Sequence, residues 1–190
     1  MINLTIKKLT PALIPDYLDF FDNRAFTDRA GAFCYCTWFH CDSSIDEHYK
    51  AGKAAMRDCA INYINGKLLN GYLAYDGNIA VGWCNTDGKE NYLRLAKDPF
   101  LCTDNMGKVK CVMCFEIAPE YRGKGIATAL LQRICNDAKA QGYIFVEGYP
   151  TLHENYNPFD YAGPVRLYEK VGFVKASEKN QALVMRKDLR

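Results

Sequence analysis

The chain has 190 residues, 49% of them hydrophobic, which suits one domain (residues 1–190) with a full core. A net charge of +2 argues neither for nor against a nucleic-acid partner, and no apolar run approaches the length that spans a bilayer. Nine cysteines are scattered through the expected strands and helices and no signal peptide is evident, so reduced thiols and a cytoplasmic setting are expected.

Residues 2–8 alternate and read as a first strand. Pro15 opens a short helix to about Phe21. Residues 22–43 are irregular and aromatic. Ser44-Ile45-Asp46-Glu47 matches a capping box and predicts one long helix ending near Gly66, with Ile45, Tyr49, Met56, Cys59 and Tyr63 on one side. Gly71 to Asn85 holds two strands joined at Asp76-Gly77-Asn78, a hairpin turn signal. A polar stretch follows, with a helical turn at 90–96. Val109 to Ile117 is a buried strand, ended by Pro119. Arg122-Gly123-Lys124-Gly125 then turns into a helix with an apolar stripe at Ile126, Leu130, Ile134 and Ala138. Tyr143 to Tyr149 is another strand, stopped by Pro150. The long, tyrosine-rich loop 151–163 is expected to be functional. Pro164 and Gly172 bracket a short helix, and Phe173 to Glu178 and Ala182 to Lys187 form a last strand pair. This order predicts an α/β (α+β) fold with a mixed sheet flanked by helices, rather than an alternating parallel series.

The stretch 109–138 concentrates the chemistry. A strand feeds a glycine-rich turn, and the turn feeds a helix N-terminus. Unpaired N–H groups and the positive end of the helix dipole suit a phosphate there, and glycine lets backbone approach it closely. The spacing of a P-loop is absent. The dinucleotide fingerprint fails at Thr128, where a third small residue is required. A nucleotide-binding protein would need one of these. What the turn does fit is R-x-x-G-x-A, with Arg122, Gly125 and Ala127.

With that turn, and with Leu167-Tyr168-Glu169-Lys170-Val171-Gly172-Phe173 about forty residues on, the chain resembles the GNAT superfamily of acetyl-CoA-dependent N-acetyltransferases over nearly its whole length. The resemblance implies a mostly antiparallel sheet and transfer of an acetyl group from acetyl-CoA to a primary amine by direct attack. It implies that Arg122, Gly123, Lys124, Gly125, Ile126 and Ala127 hold the diphosphate of coenzyme A. Backbone at Phe115, Ile117 and Ala118 would pair with the pantetheine arm, one N–H facing the thioester. Tyr168 would lie near the leaving sulfur as general acid. A phenol titrates near ~10 and a thiol near ~8.5, so full transfer is uphill by roughly 2 kcal/mol and hydrogen bonding is the alternative role. The acceptor is a small-molecule or peptide amine, with no metal, nucleic acid or membrane involved. A homodimer is a family-level expectation. Two positions depart from the family: Tyr161 and Pro164 stand where many members carry asparagine and alanine. A non-catalytic acyl-CoA-binding or sensor module on the same fold is the competing reading.

An amine of pKa ~10.4 costs about 4.6 kcal/mol to deprotonate at pH 7, and such a substrate wants a base. Glu116 and Glu147 are candidates, each expected late on a strand beside the cleft, with His153 in the loop a third. Cys34, Cys36, His40 and Cys41 are poorly spaced for zinc and read better as pocket wall or core. Cys111 and Cys114 are expected on opposite strand faces, out of each other's reach. Trp83-Cys84-Asn85 is a further candidate for the acceptor wall.

Overall fold

The computed structural model describes residues 2–41, 44–97, 108–152, 160–179 and 182–190. Among them, seven strands form one sheet: β1 Leu4–Lys8, β2 Gly71–Asp76, β3 Ile79–Gly88, β4 Val109–Ile117, β5 Phe145–Gly148, β6 Val174–Lys179 and β7 Ala182–Asp188. Their order is β1-β2-β3-β4-β5-β7-β6. Neighbours are antiparallel except β4 and β5, which run parallel. The helices are α1 Ile14–Asn23, α2 Ile45–Lys50, α3 Gly52–Asn65, α4 Leu93–Lys97, α5 Ile126–Ala140 and α6 Val165–Lys170.

Each sheet face has its own core. Tyr17, Phe20 and Phe21 of α1 and Met56, Ala60 and Ile64 of α3 pack on Leu73, Tyr75, Trp83, Cys111 and Cys114. On the other face, α5 and α6 bury Ile126, Leu130, Ile134, Leu167 and Tyr168 against Ala74, Val81, Val112, Phe115 and Val146. The α5 stripe is the one read from its spacing. Burying each large apolar residue of this kind stabilises the fold by roughly 1.5–3 kcal/mol.

The expected long helix from Ser44 is two helices. The capping box forms, with the Glu47 N–H donating to Ser44 Oγ at 3.2 Å and the Ser44 N–H to Glu47 Oε2 at 2.9 Å. Gly52 then adopts a left-handed φ of +82° and divides α2 from α3. The stripe read along one side is broken accordingly: Ile45 and Tyr49 are 44% and 41% exposed, whereas Met56 is buried.

β4 carries the feature that positions the site. Asn85 pairs with Cys114 and Thr86 with Val112, so Met113 is an extra residue, a β-bulge. The bulge resets the two-residue alternation beyond it. Cys111 and Cys114 therefore share one core, which overturns the expected opposite placement. Both are free thiols, and Cys111 Sγ lies 2.9 Å from Tyr149 Oη. The bulge also coincides with the end of the β4–β5 pairing. β5 pairs with Val109–Val112 and stops, and Thr151 then bridges to Ala182 near β7. From Met113 to Ile117 the sheet is split, and β4 turns an edge into the gap.

Candidate active site

Beyond β4, Pro119–Tyr121 forms a single 3-10 turn and Arg122 is extended. Gly123 and Gly125 follow at φ +74° and +83°, both exposed, and a Cβ built on either would meet nothing within 4 Å. Gly125 is the N-cap of α5 and supplies no side-chain cap. The first hydrogen bond of the helix is Ala129 N–H to Gly125 carbonyl, at 3.0 Å. The N–H groups of Ile126, Ala127 and Thr128 therefore have no acceptor within the helix. Open space, two left-handed glycines and a 15-residue helix pointing its positive end outward fit a diphosphate.

The Arg122 side chain is engaged within the protein. Its Nε donates to the Ile117 carbonyl at 3.1 Å, and its Nη1 and Nη2 lie 2.5 Å from Asp28 Oδ2 and 3.4 Å from Glu116 Oε1. The side chain ties the turn to the end of β4 and to the segment after α1. Lys124 is exposed, with Nζ 4.8 Å from the centre of the Tyr121 ring.

On β4, strand alternation directs Phe115 and Ile117 into the split and Glu116 and Ala118 toward β3. The Ala118 N–H donates to the Val81 carbonyl at 3.0 Å, so it does not face the gap, contrary to the expectation for that residue. The Phe115 N–H does face it. There it meets the Tyr161 carbonyl at 2.6 Å. Tyr168 projects from α6 to the same place, fully buried, its Oη donating to the Ala162 carbonyl at 2.6 Å. Burial holds its phenol well above the usual range. The ring lies against the end of β5, where a Cβ on Gly148 would fall 2.1 Å from Tyr168 Cε1.

Residues 69–175 match the acetyltransferase (GNAT) domain family, more than half of the chain. The chain belongs to the GNAT family of N-acetyltransferases. No curated protein matches the sequence. Solved structures of similar fold include a GNAT-family acetyltransferase from Streptococcus pneumoniae (TM-score 0.60, 15% identity, covering 99% of this chain and 100% of that one). The PaiA N-acetyltransferase of Thermoplasma acidophilum, solved with coenzyme A, has a TM-score of 0.58 at 14% identity, over 98% and 99% of the two chains. The Escherichia coli ribosomal-protein-S18-alanine N-acetyltransferase has a TM-score of 0.54 at 12% identity, over 98% and 94%.

In this acetyltransferase Glu116 sits one residue past Phe115, on the α1 face. Its Oε1 lies 2.8 Å from Arg29 Nη2. Burial raises its pKa to about 7, against the downward pull of Arg29 and Arg122. Asp28 and Arg29 complete a charged cluster that no motif in the sequence announced; it joins the loop after α1 to the end of β4.

Glu147 is placed elsewhere. It pairs with Cys111, at the zipped end of the β4–β5 junction, and its carboxylate is fully buried. Lys89 Nζ lies 2.9 Å and Tyr149 Oη 3.0 Å from Oε2, while Arg186 Nη2 is 2.6 Å from Oε1. Both oxygens are committed to these partners. We expect Glu147→Ala to lose about 3–5 kcal/mol of unfolding free energy in urea, because two cations stay buried without their anion. The surviving folded fraction should keep its kcat; a selective loss of kcat at normal stability would return Glu147 to the catalytic group.

The cysteine-rich segment also resolves. Cys34 Sγ accepts from the Cys36 N–H at 3.3 Å, and Cys34, Cys36 and Cys114 pack in the same core. His40 and Cys41 point away from them: the His40 ring lies 5.0 Å from that of Tyr92, and Cys41 Sγ donates to the Trp38 carbonyl at 3.3 Å. Trp83 is fully buried against Tyr17 and Phe21, and Asn85 holds the Cys36 carbonyl and Tyr92 Oη. The stretch 83–85 is thus core rather than acceptor wall. His153 lies outside the described residues.

Proposed function

We propose that this acetyltransferase uses acetyl-CoA, with the diphosphate held by backbone N–H groups of Gly123 to Ala127 and the thioester arm along the Phe115–Ile117 edge of β4. The observation that carries the reading is the split beyond Met113, with the exposed turn and uncapped α5 at its mouth. Acetyl-CoA supplies an activated acyl group on a thiolate leaving group. The Phe115 N–H is aimed where a carbonyl oxygen would gather charge, and such a donor acts without reorganising. Glu116, titrating near neutrality, takes the proton of an attacking amine, directly or through water. Tyr168 donates a hydrogen bond toward the sulfur. Its raised pKa argues for hydrogen bonding rather than full proton transfer. Arg122 positions the turn and Glu116 rather than gripping phosphate.

The acceptor we infer is a primary amine on a small molecule or peptide. One neighbour in fold bears the name of a ribosomal-protein alanine acetyltransferase, which supports the peptide arm of that reading. Around the Cys34–Cys36–Cys114 thiols stand Phe33 and Tyr49, whose rings are 5.8 Å apart, and Phe39 and Tyr161, also 5.8 Å apart. That surround supports an amine carried on an apolar or aromatic group. Among the described residues, no helix is long and apolar enough to cross a membrane, and the cysteines are free thiols, which supports a cytoplasmic setting.

Calorimetry with acetyl-CoA, followed by free-thiol release across a panel of amines, tests the reading; absence of binding at millimolar acetyl-CoA removes it. Tyr168→Phe should lower kcat about tenfold, roughly 1.4 kcal/mol, without weakening acetyl-CoA binding. A weaker Kd with unchanged kcat would mean that the hydroxyl serves packing instead of chemistry.

A further inference from the structure

Both donors assigned to the reacting thioester are already paired, and to consecutive residues. The Phe115 N–H bonds the Tyr161 carbonyl at 2.6 Å, and Tyr168 Oη bonds the Ala162 carbonyl at 2.6 Å. Gly163 closes the segment at φ +77°, where a Cβ would lie 3.0 Å from Leu167 Cδ2 and 3.5 Å from Phe115 Cδ2. Ala162 is buried. The Tyr161 ring is half exposed and rests on Phe39, with centroids 5.8 Å apart. Two short hydrogen bonds thus hold Tyr161–Gly163 in the split of the sheet, against Phe115 of β4.

We propose that Tyr161–Gly163 is an internal strap that competes with the acyl-thioester arm of the cosubstrate for the β4 edge. The proposal rests on the reading that the arm lies along Phe115–Ile117. Two acceptors cannot share a single short N–H bond at full strength, so seating a thioester carbonyl on Phe115 requires the Tyr161 carbonyl to leave. The two carbonyls belong to successive peptide units that meet at the Ala162 Cα, so withdrawal of the segment as one body moves both. Withdrawal therefore frees the Phe115 N–H and the Tyr168 hydroxyl together. The carbonyl-side and sulfur-side donors become available in one movement, and only when the arm arrives to replace the strap. A buried donor left unpaired is unfavourable, and the exchange of one acceptor for another avoids that at each stage.

The test weakens the strap without substituting either donor residue. Tyr161→Ala removes the ring that rests on Phe39, and Gly163→Ala puts a side chain on a left-handed residue with a close neighbour. Each should tighten acetyl-CoA binding by about 3–10-fold, the scale of one aromatic contact or one unfavourable torsion. Amide exchange at Phe115, followed by NMR without cosubstrate, should quicken in both. Tyr161→Ala changes a half-exposed ring, so it keeps the test alive if Gly163→Ala fails to fold. Wild type binding acetyl-CoA, with folded variants binding equally or more weakly and with unaltered Phe115 exchange, overturns the strap and leaves the acetyl-CoA reading standing. No binding by wild type or variants overturns both.

Discussion

Glu116→Gln is expected to lower kcat/KM for amine acetylation by about 10²–10⁴-fold, the usual contribution of a positioned base. The pH profile should change shape as well as height. In the wild type a carboxylate must be free to accept a proton, and burial sets its pKa at about 7. Activity should therefore rise with pH through about 7 and level off above it, and that limb should vanish in the variant. A second readout has a fixed sign. Folded protein keeps the Glu116 proton up to about 7, whereas unfolded chain releases it near the ordinary 4.5. Between those values the folded state binds more protons, so this group's contribution makes stability fall as pH rises. The variant should lose that component of the slope in urea midpoints between pH 5 and 8. An unchanged limb near 7 would assign the titration to another group, the amine itself included.

Gly125→Val should raise the Kd for acetyl-CoA by more than about a hundredfold, roughly 2.7 kcal/mol. That is the scale of one or two charge-assisted hydrogen bonds from backbone to diphosphate. The cause is local. At φ +83° an L side chain is strained by about 1–2 kcal/mol even though nothing crowds it. The new methyls would stand in the open space at the helix mouth. The melting temperature should fall by several degrees at most, since for a chain of this size each kcal/mol is worth about 2–4 °C. Lys124→Ala is the control. Its ammonium lies over Tyr121 and its side chain is exposed, so its Kd should stay within about threefold. A larger effect at Lys124 than at Gly125 would mean that side-chain charge, not backbone, holds the cosubstrate.

Much of this arrangement is written locally and could be read from residue order. Strand, turn and helix between Val109 and Ala140 follow from apolar spacing, a proline and two glycines, and the hairpin at Gly77 and the capping box at Ser44 likewise depend on near neighbours. What residue order leaves out are partners distant in sequence. The Met113 bulge exists only relative to the register of β3, so the faces of Cys111 and Cys114 could not be assigned from β4 alone. Arg186, thirty-nine positions later, holds Glu147, a pairing that no local pattern announces. Arg122 is committed to Asp28 across ninety-four positions, a pairing with no motif. Gly52 is a different case. Glycine is tolerated within helices, and sequence does not reveal when it will take the left-handed conformation instead.

The Glu147 cluster has a mechanical consequence. β1 to β4 and β5 to β7 are two antiparallel ribbons, sewn together by a four-residue parallel seam, Val109–Val112 against Phe145–Gly148. Lys89 directly follows β3 of the first ribbon and Arg186 lies in β7 of the second, and the carboxylate between them works as a rivet just behind the point where the seam ends. Any force prising the ribbons apart is thus borne first at that rivet, which sets how far the opening can travel down the sheet.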